Sequence, residues 1–175
     1  MLNNIFFILI FYFIGSIPFA LIIPRIFGFG DIREIGSGNI GATNVLRAGN
    51  KYLAVLVLLL DILKGFLPFV ILDLFSNKNL NLEIFLCHFA ILGHIFPIWL
   101  KFKGGKGIAT YVGLLLGVNF QIALVFATIW IILVFLKKYA SLSSIIAVTS
   151  IPFCIYLLNY NNKIIIFFIY LSSIL

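Results

Sequence analysis

Two glycine-rich stretches hold most of the residues that could do chemistry. The first runs Gly36-Ser37-Gly38-Asn39-Ile40-Gly41-Ala42-Thr43-Asn44 and is followed closely by Arg47. Small residues let backbone N–H groups approach a ligand closely, and consecutive N–H groups in such turns form a concave anion site. Ser37, Thr43, Asn39 and Asn44 add side-chain donors. Arg47 is suited to bidentate contact with a phosphate. The second stretch, "KFKGGKGIAT" from Lys101 to Thr110, is rich in glycine and lysine and opens a helical pattern. A helix N-terminus aimed at a phosphate is favourable. A third, "KKYASLSS" from Lys137 to Ser144, puts hydroxyls beside another apolar run. "GGKGIAT" superficially resembles a nucleotide-binding loop. It lacks the leading Gly-x-x-x-x-Gly spacing and any surrounding βαβ unit, so that reading is rejected. Taken singly, a Gly-Ser-Gly turn is more often a linker and a lysine cluster a topology signal. A phosphate site requires that these stretches meet.

The rest of the chain decides where they lie. Of 175 residues, 63% are hydrophobic and only 10% charged, with 20 Phe and 7 Tyr; the mean hydropathy is +1.23. An ordinary soluble domain is about a quarter charged, so the expected class is an all-α polytopic membrane protein forming one domain over residues 1–175. The N-terminus lacks a basic segment and a small-residue cleavage site, and is expected to be a retained first span. Cys87 and Cys154 sit inside apolar runs and are expected to be free thiols; no Cys/His/carboxylate cluster predicts a metal. No cofactor and no nucleic-acid partner are expected.

A span needs roughly 20 apolar residues. Segments of about 3–23, 52–72 and 83–100 qualify, the first with a break at Gly15-Ser16-Ile17-Pro18. Asp61 and Lys64 are three apart on one helix face and can pair, either as a structural ion pair in the bundle or in a polar pocket. The apolar stretch from Gly107 to Leu136 is expected to divide near Gly113, Gly117, Asn119 and Gln121 into legs of about 108–117 and 120–136. Legs at 144–158 and from Ile164 to the end complete about seven spans. Twelve helical residues reach only about 18 Å, so the last leg is expected to be truncated or shielded.

Charge fixes the expected orientation. Arg25, Arg33, Arg47, Lys51, Lys101, Lys103, Lys106, Lys137 and Lys138 fall in one set of loops, and only Lys78 and Lys163 in the other. The first set is expected to be cytoplasmic and the N-terminus outside. All three polar stretches then share one membrane face. That convergence favours a phosphate site, and a small anion transporter is the competing reading. His88 and His94 lie within the third span and are expected to be bundle histidines rather than a base.

"GSGNIGATNVLRAGNK", "DILKG", "GHIFPIWLKFKGGKGIAT" and "KYASLSS" together resemble the bacterial acyl-phosphate:glycerol-3-phosphate acyltransferases. The resemblance covers roughly Phe13 to Ser144. It implies a seven-span bundle in the cytoplasmic (inner) membrane. It implies transfer of an acyl group from acyl-phosphate to glycerol 3-phosphate, giving lysophosphatidic acid and phosphate, the first step of phospholipid synthesis. It also implies the site. Ser37, Gly38, Asn39, Gly41, Thr43 and Asn44, with the Gly104 and Gly105 amides, would hold the acyl-phosphate head. Arg47, Lys106 and Ser144 would hold glycerol 3-phosphate, with Ser37, Arg47 and Lys106 catalytic. A substrate phosphate would accept the proton. A monomer in the bilayer is expected, supplied with acyl-phosphate by a phosphate acyltransferase. The family's C-terminal motif, His-x-Glu-Asn-Ile-x-Arg-Leu, has no counterpart in this chain, so an inactive or regulatory homologue is the alternative that the resemblance leaves open.

Overall fold

The computed structural model describes residues 2–75 and 79–175; Lys78, used above in the charge comparison, lies outside them. The described residues are mostly helical, with no strand among them. Among them nine α-helices follow in order: α1 (Leu2–Gly15), α2 (Phe19–Ile26), α3 (Ala42–Arg47), α4 (Lys51–Phe75), α5 (Leu80–Ile95), α6 (Ile108–Val118), α7 (Phe120–Lys137), α8 (Ala140–Leu157) and α9 (Asn162–Ile174). α4, α7, α8 and α5, the last counted on to Leu100, are long and apolar enough to cross a membrane. α1 and α2, bent by 40° at the expected break, make a fifth as a pair; α6 and α9 are shorter apolar helices.

Two seams of small residues bring the helices together. A Cβ on Gly15 would lie 1.9 Å from Ala90 O, and one on Gly93 would lie 2.1 Å from Tyr12 O, so α1 and α5 touch backbone to backbone. The α4–α6 seam is alike: Gly65 abuts Thr110 O and Gly113 abuts Ile62 O, each at 2.0 Å from a Cβ. Apolar lipid is no worse a neighbour than another leucine, so close packing rather than hydrophobic exclusion holds such helices together.

The division of the 107–136 stretch is where it was expected, for a narrower reason. Asn119 alone makes it: its Oδ1 accepts from Gln121 N at 2.7 Å and from Ile122 N at 3.4 Å, capping α7. Gly113 and Gly117 are helical, and their lack of a side chain serves packing against α4. α8 starts four residues before the expected 144. Ser143 Oγ and Ser144 Oγ donate back to Tyr139 O and Ala140 O, so these polar residues are helical rather than a loop.

The apolar core is in two parts. The larger, around Phe11, Ile91, Tyr111, Leu114, Phe126 and Phe168, lies between the helices. The smaller gathers Ala20, Leu21, Ile32, Ile40, Val45 and Val57 beneath the first glycine-rich stretch. That stretch therefore stands on its own apolar base.

Candidate active site

The first loop is organised around one buried amide. Asn44 Nδ2 donates to Ile32 O at 2.7 Å and to Ile35 O at 3.0 Å. Its Oδ1 accepts from Ser37 N at 3.1 Å and from Ser37 Oγ at 3.3 Å. Two donors and two acceptor sites are all that an asparagine side chain has, so Asn44 is fully occupied inside the protein. It shapes the loop, and its expected contact with acyl-phosphate has no group left to make it. Gly36 (φ +58°) and Gly38 (φ +68°) supply left-handed turns. A Cβ on Gly36 would strike Asn44 Oδ1 at 2.6 Å and crowd Arg47 Cδ at 3.3 Å. Ser37, Gly38, Thr43 and Arg47 are exposed.

The entrance to this loop is braced by charge. Asp31 accepts from Arg33 N and Nε, each at 3.0 Å, and from a terminal nitrogen of Arg25. Hydrogen bonding from the Arg33 side chain, aided by its backbone N–H and by Arg25, holds the Asp31 carboxyl well below the usual carboxylate range.

The second loop hangs from the end of α5. Gly104 N donates to Ile95 O at 2.9 Å and Gly105 N to His94 O at 3.1 Å. These two amides were expected to face acyl-phosphate; here they satisfy carbonyls that the end of a helix leaves open. What the glycines contribute is closeness. A Cβ on Gly104 would lie 2.0 Å from His94 O, and one on Gly105 would lie 2.5 Å from Ile40 O of the first loop. The turn before them places Lys101 (φ 52°) and Phe102 (φ 61°) in succession in the left-handed region.

The two loops border one open pocket of about 570 Å³, lined by Gly38 and Asn39 from the first, Lys101, Lys103 and Gly104 from the second, and Arg33 beside them. Trp99, Leu100 and Ile40 give it an apolar wall. Lys101 and Lys103 make no ion pair among the described residues. A phosphate with an apolar tail fits this lining by charge and by polarity. Gly41, Ser37, Thr43, Arg47 and Lys106 are not among the lining residues.

Lys106 turns toward α8, where its Nζ donates to Ser141 Oγ at 2.7 Å. Ser144, the serine expected to join it, is buried; its Oγ accepts from Trp130 Nε1 at 2.9 Å and donates to Ala140 O. The partner of Lys106 is therefore Ser141, one helical turn nearer the start of α8. Sequence reading gave no role to Ser141, Arg33 or Trp99, and took Lys101 and Lys103 only together, as lysines of a candidate phosphate-binding stretch and as topology charges. Among the described residues no group of three His, Cys, Asp or Glu could hold a metal.

Comparison with known proteins identifies the family. The family model for glycerol-3-phosphate acyltransferase matches residues 5–175. The glycerol-3-phosphate acyltransferase of Mesorhizobium japonicum is 48% identical over 163 residues, covering 93% of this chain and 82% of that protein. That of Bartonella henselae is 54% identical over 147 residues, covering 82% and 69%. The crystal structure of PlsY, an integral membrane glycerol 3-phosphate acyltransferase, in its glycerol 3-phosphate form, superposes with a TM-score of 0.89 at 35% identity, covering 98% of this chain and 86% of that one. Its lysophosphatidic acid form gives 0.87 at 34% identity, covering 98% and 85%. The chain belongs to the glycerol-3-phosphate acyltransferase family.

Proposed function

We propose that this protein transfers an acyl group from an acyl-phosphate to a hydroxyl of glycerol 3-phosphate. The hydroxyl oxygen attacks the acyl carbonyl carbon, the carbon–oxygen bond to phosphate breaks, and inorganic phosphate leaves. The hydroxyl proton passes to a substrate phosphate oxygen, and the product is lysophosphatidic acid. The observation that carries the reading is the cationic pocket shared by two glycine-rich loops, with an apolar wall, in a member of this family.

Ser37, Gly38, Asn39, Gly41 and Thr43 hold the acyl-phosphate head in this reading, with Lys101 and Lys103 added to them. Arg47 and Lys106 hold glycerol 3-phosphate, with Ser141 in the place first given to Ser144. Asn44, Gly104 and Gly105 act by shaping the loops. Cations and N–H donors aimed at the reacting carbonyl and leaving phosphate stabilise the charge that develops there. The acyl tail remains among apolar side chains. The chain makes about seven spans as a monomer in a bacterial cytoplasmic membrane, its N-terminus outside and both loops cytoplasmic, and a phosphate acyltransferase supplies the donor.

Purified protein given acyl-phosphate and radiolabelled glycerol 3-phosphate is expected to release one phosphate per lysophosphatidic acid formed. Arg47→Ala is expected to raise KM for glycerol 3-phosphate about 10- to 100-fold, the loss of one hydrogen-bonded charge contact. Transport of glycerol 3-phosphate into proteoliposomes without product would overturn the reading.

A further inference from the structure

The bend between α1 and α2 takes carbonyls out of the helical ladder, and two side chains from elsewhere donate to them. Trp99 Nε1 donates to Ser16 O at 2.7 Å, and Lys64 Nζ donates to Ile17 O at 2.9 Å. Within a bilayer, such freed carbonyls are tolerated only where the protein satisfies them. Lys64 also lies 2.7 Å from Asp61 Oδ1, one helical turn away on α4. The approach is off the hydrogen-bonding direction, for Oδ1 accepts no hydrogen bond. His94 Nδ1 lies 3.8 Å from the same oxygen. Asp61, Lys64 and His94 are all buried. The other ring nitrogen of His94, Nε2, faces the second loop, where a Cβ on Gly105 would come within 2.3 Å of it. Ile40 of the first loop lines the same small cavity as these three residues.

A buried ion pair is an expensive way to hold helices together. Apolar residues of similar volume are often as good or better for stability, whereas removing one partner alone is strongly destabilising. The connections of this pair point to a different use. We propose that Asp61, Lys64 and His94 are positioning residues for acyl transfer. Asp61 holds Lys64 on the broken first span and stands beside His94, whose ring backs Gly105, so one buried cluster sets the placement of the second glycine-rich loop against the first. The proposal rests on the reading above that these loops form the reaction site.

The test replaces the charges without leaving one unpaired. In Asp61→Asn/Lys64→Met both side chains keep roughly their size. Melting temperature in detergent is expected to stay close to that of the unaltered protein. The kcat for lysophosphatidic acid formation is expected to fall about tenfold or more, with smaller changes in KM, as for a reacting group moved by a fraction of an ångström. Amide hydrogen exchange in residues 36–44 and 101–107 is expected to quicken. His94→Asn leaves the ion pair intact, keeps a polar group toward Asp61 and removes the ring edge beneath Gly105. It is expected to lower kcat and quicken exchange at 101–107. Recovery of kcat together with stability in the double variant, or unchanged exchange at 101–107 in both variants, would overturn the proposal. Exchange is read without substrate, so an unaltered protein that makes no lysophosphatidic acid would count against the acyl-transfer reading alone.

Discussion

The two glycine-rich loops look alike in sequence and are held by opposite means. The first is held from within: the Asn44 side chain ties Ile32, Ile35 and Ser37 together over a private apolar base. The second is held from outside: its Gly104 and Gly105 amides are bonded to the last carbonyls of α5. A self-contained loop depends on one side chain. A loop hung from a helix end depends on the absence of side chains, because its backbone must reach the carbonyls it caps.

The largest effect is therefore expected at Gly104. In Gly104→Ala the new Cβ would lie 2.0 Å from His94 O and 2.5 Å from Ile95 O, both backbone atoms. Neither can move without lifting the loop from α5. Turnover is expected to fall about 100-fold or more. Gly41→Ala in the first loop is the comparison: its φ of −164° suits any residue, and the Cβ would meet only Asn39 Nδ2, at 3.4 Å. It is expected to leave the fold of its loop intact and to lower turnover less than Gly104→Ala does, through contact with the acyl-phosphate head alone. Equal loss in both variants would erase the contrast between the loops.

Next in size is Asn44→Asp. The shape is kept, but two donors become acceptors facing Ile32 O and Ile35 O. Each unsatisfied buried carbonyl costs about 1–3 kcal/mol. A clear drop in melting temperature, with exchange quickened at 32–44 and unchanged at 101–107, is the expected outcome. Matching changes in both segments would show that the loops are not held separately.

How much of this was legible in advance follows from the range of each interaction. The α6–α7 division could be read because Asn119 caps its own helix two and three residues on. The placing of Asp61 beside Lys64 could be read from their spacing of three. The start of α8 was missed because Ser143 and Ser144 bond back one turn into the helix, so polar residues that look like a loop are helical. The direction of the Gly104 and Gly105 amides was beyond reach, since the carbonyls they meet are nine and eleven residues away and brought back by the turn at Lys101 and Phe102. The buried role of Asn44 was hidden likewise: the motif shows an asparagine beside a phosphate-binding pattern, and only tertiary structure shows that all four of its hydrogen-bonding sites are used.

Serines on α8 extend the comparison to a third segment. Ser141 accepts from Lys106, just past the second loop, and Ser144 accepts from Trp130 within the bundle. Ser141→Ala is expected to raise KM for glycerol 3-phosphate several-fold at unchanged melting temperature. Ser144→Ala is expected to lose about 1 kcal/mol of stability with near-normal kinetics. The reverse pattern would return Ser144 to the site.

The smallest effect is expected at Asp31, which braces only the first loop. Arg25 and Arg33 are about half exposed, at 53% and 48%, and exposed ion pairs contribute about 0–1 kcal/mol. The lowered carboxyl fixes the sign with pH: the folded protein holds this proton less tightly than an unfolded chain does. Its contribution is complete above the ordinary carboxylate value of about 4 and fades as pH falls further. Asp31→Asn should therefore lower the melting temperature slightly at pH 7, with the difference from the unaltered protein shrinking below pH 4. Because Arg33 lines the shared pocket, its release is also expected to change KM for acyl-phosphate more than KM for glycerol 3-phosphate. If both constants shift equally, Arg33 acts on the field of the whole face rather than on one substrate.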